Sequence, residues 1–363
     1  MKLYRLGAVP WDETQAIYHA LAHTGQEGLV ICRPASPCVC LGLHDDVQQE
    51  VNLAYCRHNN LPLIRRDIGG GMVLLAEGQL FFQLVLRAGS PLLTGRREQF
   101  FGRFLQPAVR TLADFGIRAA IKPPADIVVN GRKISGNGAG DINGYAVYTG
   151  NILLTFNRQV MAGVFNVPAG RCREMVGLSL AQYLTTMTEE LGYEPDIGAV
   201  EERLVAHFAA WLDVVPGEYS PALKHSVREL AQGLTSPEFL SLPGKRTPVR
   251  QIKIREGTYV RLHPFPQCIK TTLPGQRGGD NRLGSPCAGY GVLVVTDNRI
   301  AGFEYQGLEC LAEFGLAALS ARLIGRFWRQ EDVGAALAEW LVDDQTGARQ
   351  LVKAPVTNWL LGT

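Results

Sequence analysis

The stretch IRRDIGGGMVLLAEGQLFFQLVL, from Ile64 to Leu86, sets the reading of the whole chain. Two arginines run directly into Gly69, Gly70 and Gly71. Glycine lacks a Cβ, so its backbone N–H can approach a ligand closely, and successive N–H groups in a turn form an anion-binding nest. Arg65 and Arg66 stand at its entrance, and a guanidinium fork suits phosphate or carboxylate oxygens. Leu80, Phe82, Leu84 and Leu86 then alternate with Phe81, Gln83 and Val85, the pattern of a buried strand under a binding loop. Taken alone, a triglycine is more often the end of a hairpin than a phosphate cradle.

A second stretch, ADIVVNGRKISGNGAGDINGYAVYTGNILLTF from Ala125 to Phe156, changes the balance. Ile127 to Val129 forms a short strand, and Asn130-Gly131 is a strong two-residue hairpin signal. Lys133 therefore stands just past the turn on the returning strand. Ser135 to Gly140 is expected to be flexible, and a second strand is expected from about Tyr145 to Phe156.

Read together, RRxxGGG, then D-x-x-x-x-G-x-K-[IV]-S-G about sixty residues later, then a glycine before an apolar strand, resemble the lipoate–protein ligases. That family belongs with the octanoyltransferases and biotin–protein ligases. The resemblance implies an α/β (α+β) fold: a mixed β-sheet catalytic domain of the biotin/lipoate ligase type. It also implies an activity. ATP and lipoate or octanoate give an acyl-adenylate, and the acyl group passes to a lysine of a lipoyl-domain carrier protein.

Residue by residue, the resemblance makes Lys133 the catalytic cation, bridging the acyl carbonyl and the α-phosphate. A surface lysine at a hairpin turn is the plainer alternative. Arg66, Gly70, Gly71, Met72, Val73, Leu74, Ser135 and Gly136 map onto the adenylate-binding positions, and Arg65 onto a solvated neighbour. Asp126 maps onto an aspartate beside the phosphate that would hold Mg²⁺; a turn or capping aspartate fits equally. Leu75, Phe82 and Gly150 are expected around the acyl chain, although core packing explains the first two as simply. Burying each CH₂ of such a chain contributes about 0.8 kcal/mol. The pattern also departs from the family. Ile68, Met72 and Leu75 replace a serine, an alanine and a histidine, and Thr149 replaces a histidine before Gly150. The pocket is thus more apolar than usual, which puts substrate identity in question.

Two rivals remain open. An ATP-independent octanoyltransferase would use a cysteine, and Cys172 in AGRCREMVGLSL lies in about the right region. Arg171 and Arg173 would lower its pKa, although its surroundings lack the Pro-Cys-Gly setting of that branch. A non-catalytic binder of a lipoyl group or cofactor is the other.

The rest of the chain bounds the partners. At 363 residues the length suggests two domains. Lysine plus arginine number 36 against 34 acids, which gives no electrostatic case for nucleic acid or an anionic membrane. The N-terminus lacks a signal-peptide core and no segment reads as a membrane span, so a cytoplasmic enzyme is expected. The 8 cysteines show no C-x-x-C pair, and Cys32, Cys38, Cys40 and Cys56 are expected to be buried thiols rather than a metal site.

Helices are expected over 10–24, 53–60, 98–115, where Pro107 implies a kink or a late start, 179–190 and 197–214. The proline- and glycine-rich segment 234–247 is expected to be a linker. It would separate a catalytic domain, 1–240, from a smaller C-terminal α+β accessory domain, 245–363. The accessory domain would contain a hairpin turning at Asp297-Asn298 and two helices, an order resembling the larger lipoate–protein ligases, as does Leu323-Ile324-Gly325-Arg326-Phe327-Trp328. The irregular segment 272–290 is a candidate lid, closing as that domain reorients between the two chemical steps.

Overall fold

The computed structural model describes residues 1–265, 289–307, 315–343 and 348–361. These divide into two compact units, one of residues 1–166 with 181–246, the other of residues 167–180 with 247–363. Most of the candidate lid, residues 272–288, lies outside the described residues. Among the described residues no helix is long and apolar enough to cross a membrane.

The first unit opens with β1 (Lys2–Val9), α1 (Glu13–His23), β2 (Gly28–Pro34) and β3 (Cys38–Leu41). Two short helices, α2 (Val47–Glu50) and α3 (Leu53–His58), lead to β4 (Leu63–Arg65), β5 (Val73–Leu75), β6 (Gln79–Arg87) and the long α4 (Arg97–Asp114). Then come β7 (Ala120–Lys122), β8 (Asp126–Val129), β9 (Arg132–Ser135), β10 (Asn137–Ile142) and β11 (Tyr145–Leu153). Helices α5 (Arg158–Val164), α6 (Arg171–Tyr183), α7 (Met187–Leu191) and α8 (Ile197–Ala209) follow, with the start of α6 in the second unit. Strand β12 (Val215–Pro216) and helices α9 (Pro221–Thr235) and α10 (Pro237–Leu240) complete the unit.

The main sheet has the order β10-β11-β6-β2-β1-β12 and mixes parallel and antiparallel pairs. Smaller sheets, β4-β3-β5 and β7-β8-β9, carry the triglycine loop and the lysine hairpin. Strand β6 is buried on both faces. Leu80, Phe82, Leu84 and Leu86 join Phe104 of α4 and Phe208 of α8 in one cluster, while Phe81 and Val85 join Ile17 and Leu21 of α1 in another. Alternate residues of a strand point to opposite faces, so the central sheet separates two cores. Pro107 is accommodated inside α4, where its carbonyl takes the Thr111 hydroxyl at 2.8 Å.

Two sequence expectations change here. Ser135 to Gly140 is no flexible run: β10 is paired with β11 from Asn137↔Gly150 to Ile142↔Tyr145. Its glycines allow a close approach, since a Cβ on Gly140 would stand 2.6 Å from Ile68 Cγ2. The segment expected as a linker is bound to the first unit. Arg65 Nη2 donates to Leu240 O at 2.7 Å, and Arg246 pairs with Asp46 at 2.7 Å.

The second unit is built on an antiparallel sheet of β13 (Arg250–Arg255), β14 (Thr258–Pro264), β15 (Tyr290–Thr296) and β16 (Arg299–Gln306). Asp297 and Asn298 both have positive φ, as the tight β15–β16 turn requires. Helices α11 (Leu316–Leu323), α12 (Gln330–Val342) and α13 (Ala348–Leu361) bury Trp340 and Trp359 with Phe265 and Phe303.

Candidate active site

The β8–β9 turn delivers Lys133. Asn130 at φ 49° and Gly131 at φ 77° make the left-handed pair that a two-residue hairpin demands. The backbone of β9 is then fastened from outside: Lys133 O accepts the Thr185 N–H at 2.8 Å, and Arg132 reaches Glu190 at 2.7 Å. With its backbone held, the lysine turns its ammonium to Asp126, Nζ to Oδ1 2.9 Å, across the same small sheet. Asp126 is buried, whereas Lys133 keeps a fifth of its side chain open, at 20%. Such a pair keeps the ammonium oriented while leaving it a path to a ligand.

Gly136 lets the lysine stem lie close, since a Cβ there would meet Lys133 Cε at 3.3 Å. Its N–H donates to Asn151 Oδ1 at 2.8 Å. The Asn151 amide donates to Gln79 Oε1 at 3.1 Å, and the Gln79 amide donates to Leu74 O at 2.9 Å. This amide chain joins the lysine hairpin to the strand that leaves the triglycine loop. The contact of Ile68 with Gly140 is a second link between the same two segments. Asn137 fixes the turn below, donating to Ala125 O at 2.7 Å and Ser135 Oγ at 3.0 Å. Ser135 is itself buried.

In the loop, Gly70 has φ 94° and both Gly70 and Gly71 are exposed. Arg66 lies beneath it as a staple. Its guanidinium donates to Gly69 O at 3.0 Å, Gly71 O at 2.9 Å and Cys40 O at 3.4 Å. The loop carbonyls are thereby committed to the protein, which suits a loop whose N–H groups receive an anion. Gly42 also proves necessary: a Cβ there would stand 3.0 Å from Gly70 C and closer still to its oxygen. Met72, Leu74 and Leu75 are buried, and Val73 is exposed.

Several expectations are corrected. Arg65 is not a solvated neighbour but fully buried, donating to the carbonyls of Gly42, Leu43, Asp45, Leu240 and Leu242. Leu75 and Phe82, expected around one acyl chain, lie in different cores. Leu75 belongs to the core on the α1 face, whereas Phe82 packs on Phe104 and Phe208 on the other, at ring separations of 5.3 and 5.7 Å. Gly150 pairs with Phe82 and shares its face. The lowered pKa expected for Cys172 is not found. Burial pushes its pKa up to about 11, Arg171 pairs with Glu174 at 3.2 Å, and Arg173 donates to Val167 O at 3.1 Å. Cys32, Cys38, Cys40 and Cys56 are buried free thiols.

Sequence reading missed Gln79, Asn137, Asn151 and Gly42. Gln79 and Asn151 carried a signal: an amide within an apolar strand must find a partner when buried.

Residues 7–209 match the model of the lipoyl protein ligase A/B catalytic domain. The chain belongs to that family. Within it, this chain is 22% identical to the octanoyltransferase LipM of Moorella thermoacetica over 225 residues, 56% of this chain and 82% of that one. It is 33% identical to the lipoate-protein ligase LplJ of Bacillus subtilis over 101 residues, 28% of this chain and 29% of that one. Relatives of this family member thus divide between transferases and ligases. The fold is also that of P. falciparum LipL1, solved in complex with lipoate, at a TM-score of 0.55 and 12% identity, covering 100% of this chain and 99% of that one.

Proposed function

We propose that this protein is an ATP-dependent lipoate–protein ligase that activates lipoate or octanoate and passes it to a lysine of a lipoyl carrier domain. The carboxylate of the acid attacks the α-phosphorus of ATP, and the bond to pyrophosphate breaks. The carrier amine then attacks the acyl carbonyl, the bond to AMP breaks with its electron pair on the phosphate oxygen, and the amine loses a proton. Both steps build negative charge where Lys133 and the triglycine N–H groups would meet it, and a preorganised cation is worth most there.

The observation that carries this reading is a contrast between a held, open cation and buried thiols. Lys133 is paired with Asp126 and partly open, on a hairpin tied by Asn151 and Gln79 to the strand that leaves the triglycine loop. All five described cysteines are buried, with Cys32 pushed up to about 12 and Cys56 and Cys172 to about 11. A thiol so held is protonated at neutral pH, which weighs against acyl activation by any of these five and supports a reading in which ATP supplies it.

Among the described residues no cluster of three His, Cys, Asp or Glu could hold a metal. Asp126 would contribute one oxygen to a Mg²⁺ held mainly by phosphate oxygens. The ion would neutralise phosphate charge. Residues 245–363 are proposed as the accessory domain of the larger ligases, a reading supported by the full-length likeness to LipL1.

The second reading, octanoyl transfer from acyl carrier protein through Cys172, is favoured by the longer match to LipM. Exchange of labelled pyrophosphate into ATP separates the two. The ligase reading predicts exchange that requires lipoate or octanoate, survives Cys172→Ser and is lost in Lys133→Ala. Acyl transfer without ATP that dies in Cys172→Ser would replace it.

A further inference from the structure

The sheet face beneath the triglycine loop is apolar along most of its length, with Phe81, Val85 and Val147 in the core that includes Ile68 and Leu75. One row breaks this pattern. Gly138, Thr149, Gln83 and Val30 stand opposite one another across β10, β11, β6 and β2, so their side chains share that face. Gln83 is fully buried. Its Nε2 donates to Thr14 O at 2.8 Å, which leaves Oε1 turned the other way and without a partner among the described residues. Thr149 Oγ1 is likewise buried and has no partner among the described residues. Over the end of the row there is room, because a Cβ on Gly138 would meet nothing within 4 Å.

Directly opposed residues on a sheet bring their Cβ atoms to about 5 Å, within reach of one small ligand group. Buried polar groups are normally satisfied, so two orphan oxygens on adjacent strands call for a shared partner. Gln83 Oε1 can only accept, whereas the Thr149 hydroxyl can donate or accept. A ligand hydroxyl meets both needs at once, donating to the glutamine and accepting from the threonine. A plain alkyl chain meets neither.

We infer that Gln83 and Thr149 form a polar subsite in the floor under the triglycine loop, which takes a hydroxyl group on the chain of a medium-length carboxylic acid. This deepens the ligase reading and rests on it for the acid. The substrate class becomes a hydroxylated acyl chain rather than octanoate alone.

Calorimetry of the full chain with octanoate, and with its regioisomers hydroxylated on the distal half of the chain, tests the inference. One isomer should bind at least about tenfold more tightly than octanoate. The advantage should shrink to within about twofold in Gln83→Leu and in the isosteric Thr149→Val. Octanoate binding as tightly as every isomer to the unaltered protein overturns the subsite, and is the result expected if a trapped water satisfies both oxygens. A hydroxy-acid preference without ATP-dependent pyrophosphate release keeps the subsite and defeats the ligase reading. Carrier acylation by octanoate with no preference does the reverse, and no acid binding at all defeats both.

Discussion

Gly140→Ala is a direct probe of how the two halves of the site are held together. The added Cβ would stand 2.6 Å from Ile68 Cγ2 and 2.9 Å from Ile68 Cβ. Relaxed carbon contacts lie at about 3.5–4.0 Å, so Ile68 must retreat by roughly 1 Å or β10 must yield. Ile68 is buried and precedes Gly69, so the retreat displaces the loop itself. Overpacking of this kind costs about 1–3 kcal/mol of stability. A misplacement of about 1 Å at a reacting group costs about a hundredfold in rate. Denaturant unfolding at 25 °C and kcat/KM for carrier acylation should both fall, the second by more than stability explains. Trimming the other partner supplies the control: Gly140→Ala should cost less in an Ile68→Ala background, with a coupling of at least about 0.5 kcal/mol. Strictly additive costs, or wild-type stability and kcat/KM in the single variant, would refute the claim that this contact sets the loop.

Further outcomes follow from individual side chains. Arg65→Met should lower the unfolding free energy by about 3–5 kcal/mol, because five carbonyls lose a buried donor; a denaturation midpoint within error of wild type would contradict it. His19 is held neutral: its Nε2 accepts the Asp67 N–H at 3.2 Å, its Nδ1 meets Gln15 O at 2.6 Å, and burial lowers its pKa to about 4. The unfolded chain takes up that proton at higher pH, so stability should fall as pH drops from about 6.5 towards 4, by up to about 3 kcal/mol. A His19→Gln variant with an equally steep acid loss, measured by melting across that pH range, would assign the effect elsewhere. Asp126→Asn frees the Lys133 ammonium and should lower kcat by about ten- to a hundredfold with the fold intact by circular dichroism; unchanged kcat would remove Asp126 from the site.

What the sequence disclosed was mostly local. Asn130-Gly131 and Asp297-Asn298 declare their turns through residues that tolerate positive φ, and the structure gives all four that conformation. The α4 stripe is legible through its helical period, whereas the late start that Pro107 suggests does not occur, since α4 begins at Arg97. Long-range geometry was not legible. Every position from Leu80 to Leu86 is buried, so the strand period cannot tell which face meets the loop and which meets α4 and α8, where Phe82 packs. A charged Arg65 looks solvated until residues 42–45 and 240–242 bring their carbonyls to it. Glycine-rich β10 looks like a loop because its reason for lacking side chains, the pressure of Ile68 on Gly140, comes from elsewhere in the chain. Arg171 and Arg173 flank Cys172 in sequence, yet immediate neighbours on a helix do not face one another.

Mass spectrometry of a lipoyl carrier domain after incubation with the protein, lipoate or octanoate and Mg²⁺, with and without ATP, tests the central claim most directly. A single acyl adduct on the carrier lysine should appear only with ATP, be abolished by Lys133→Ala and persist in Cys172→Ser. An adduct formed at equal rate by Lys133→Ala, or formed without ATP from an acyl carrier protein donor and lost in Cys172→Ser, would contradict it.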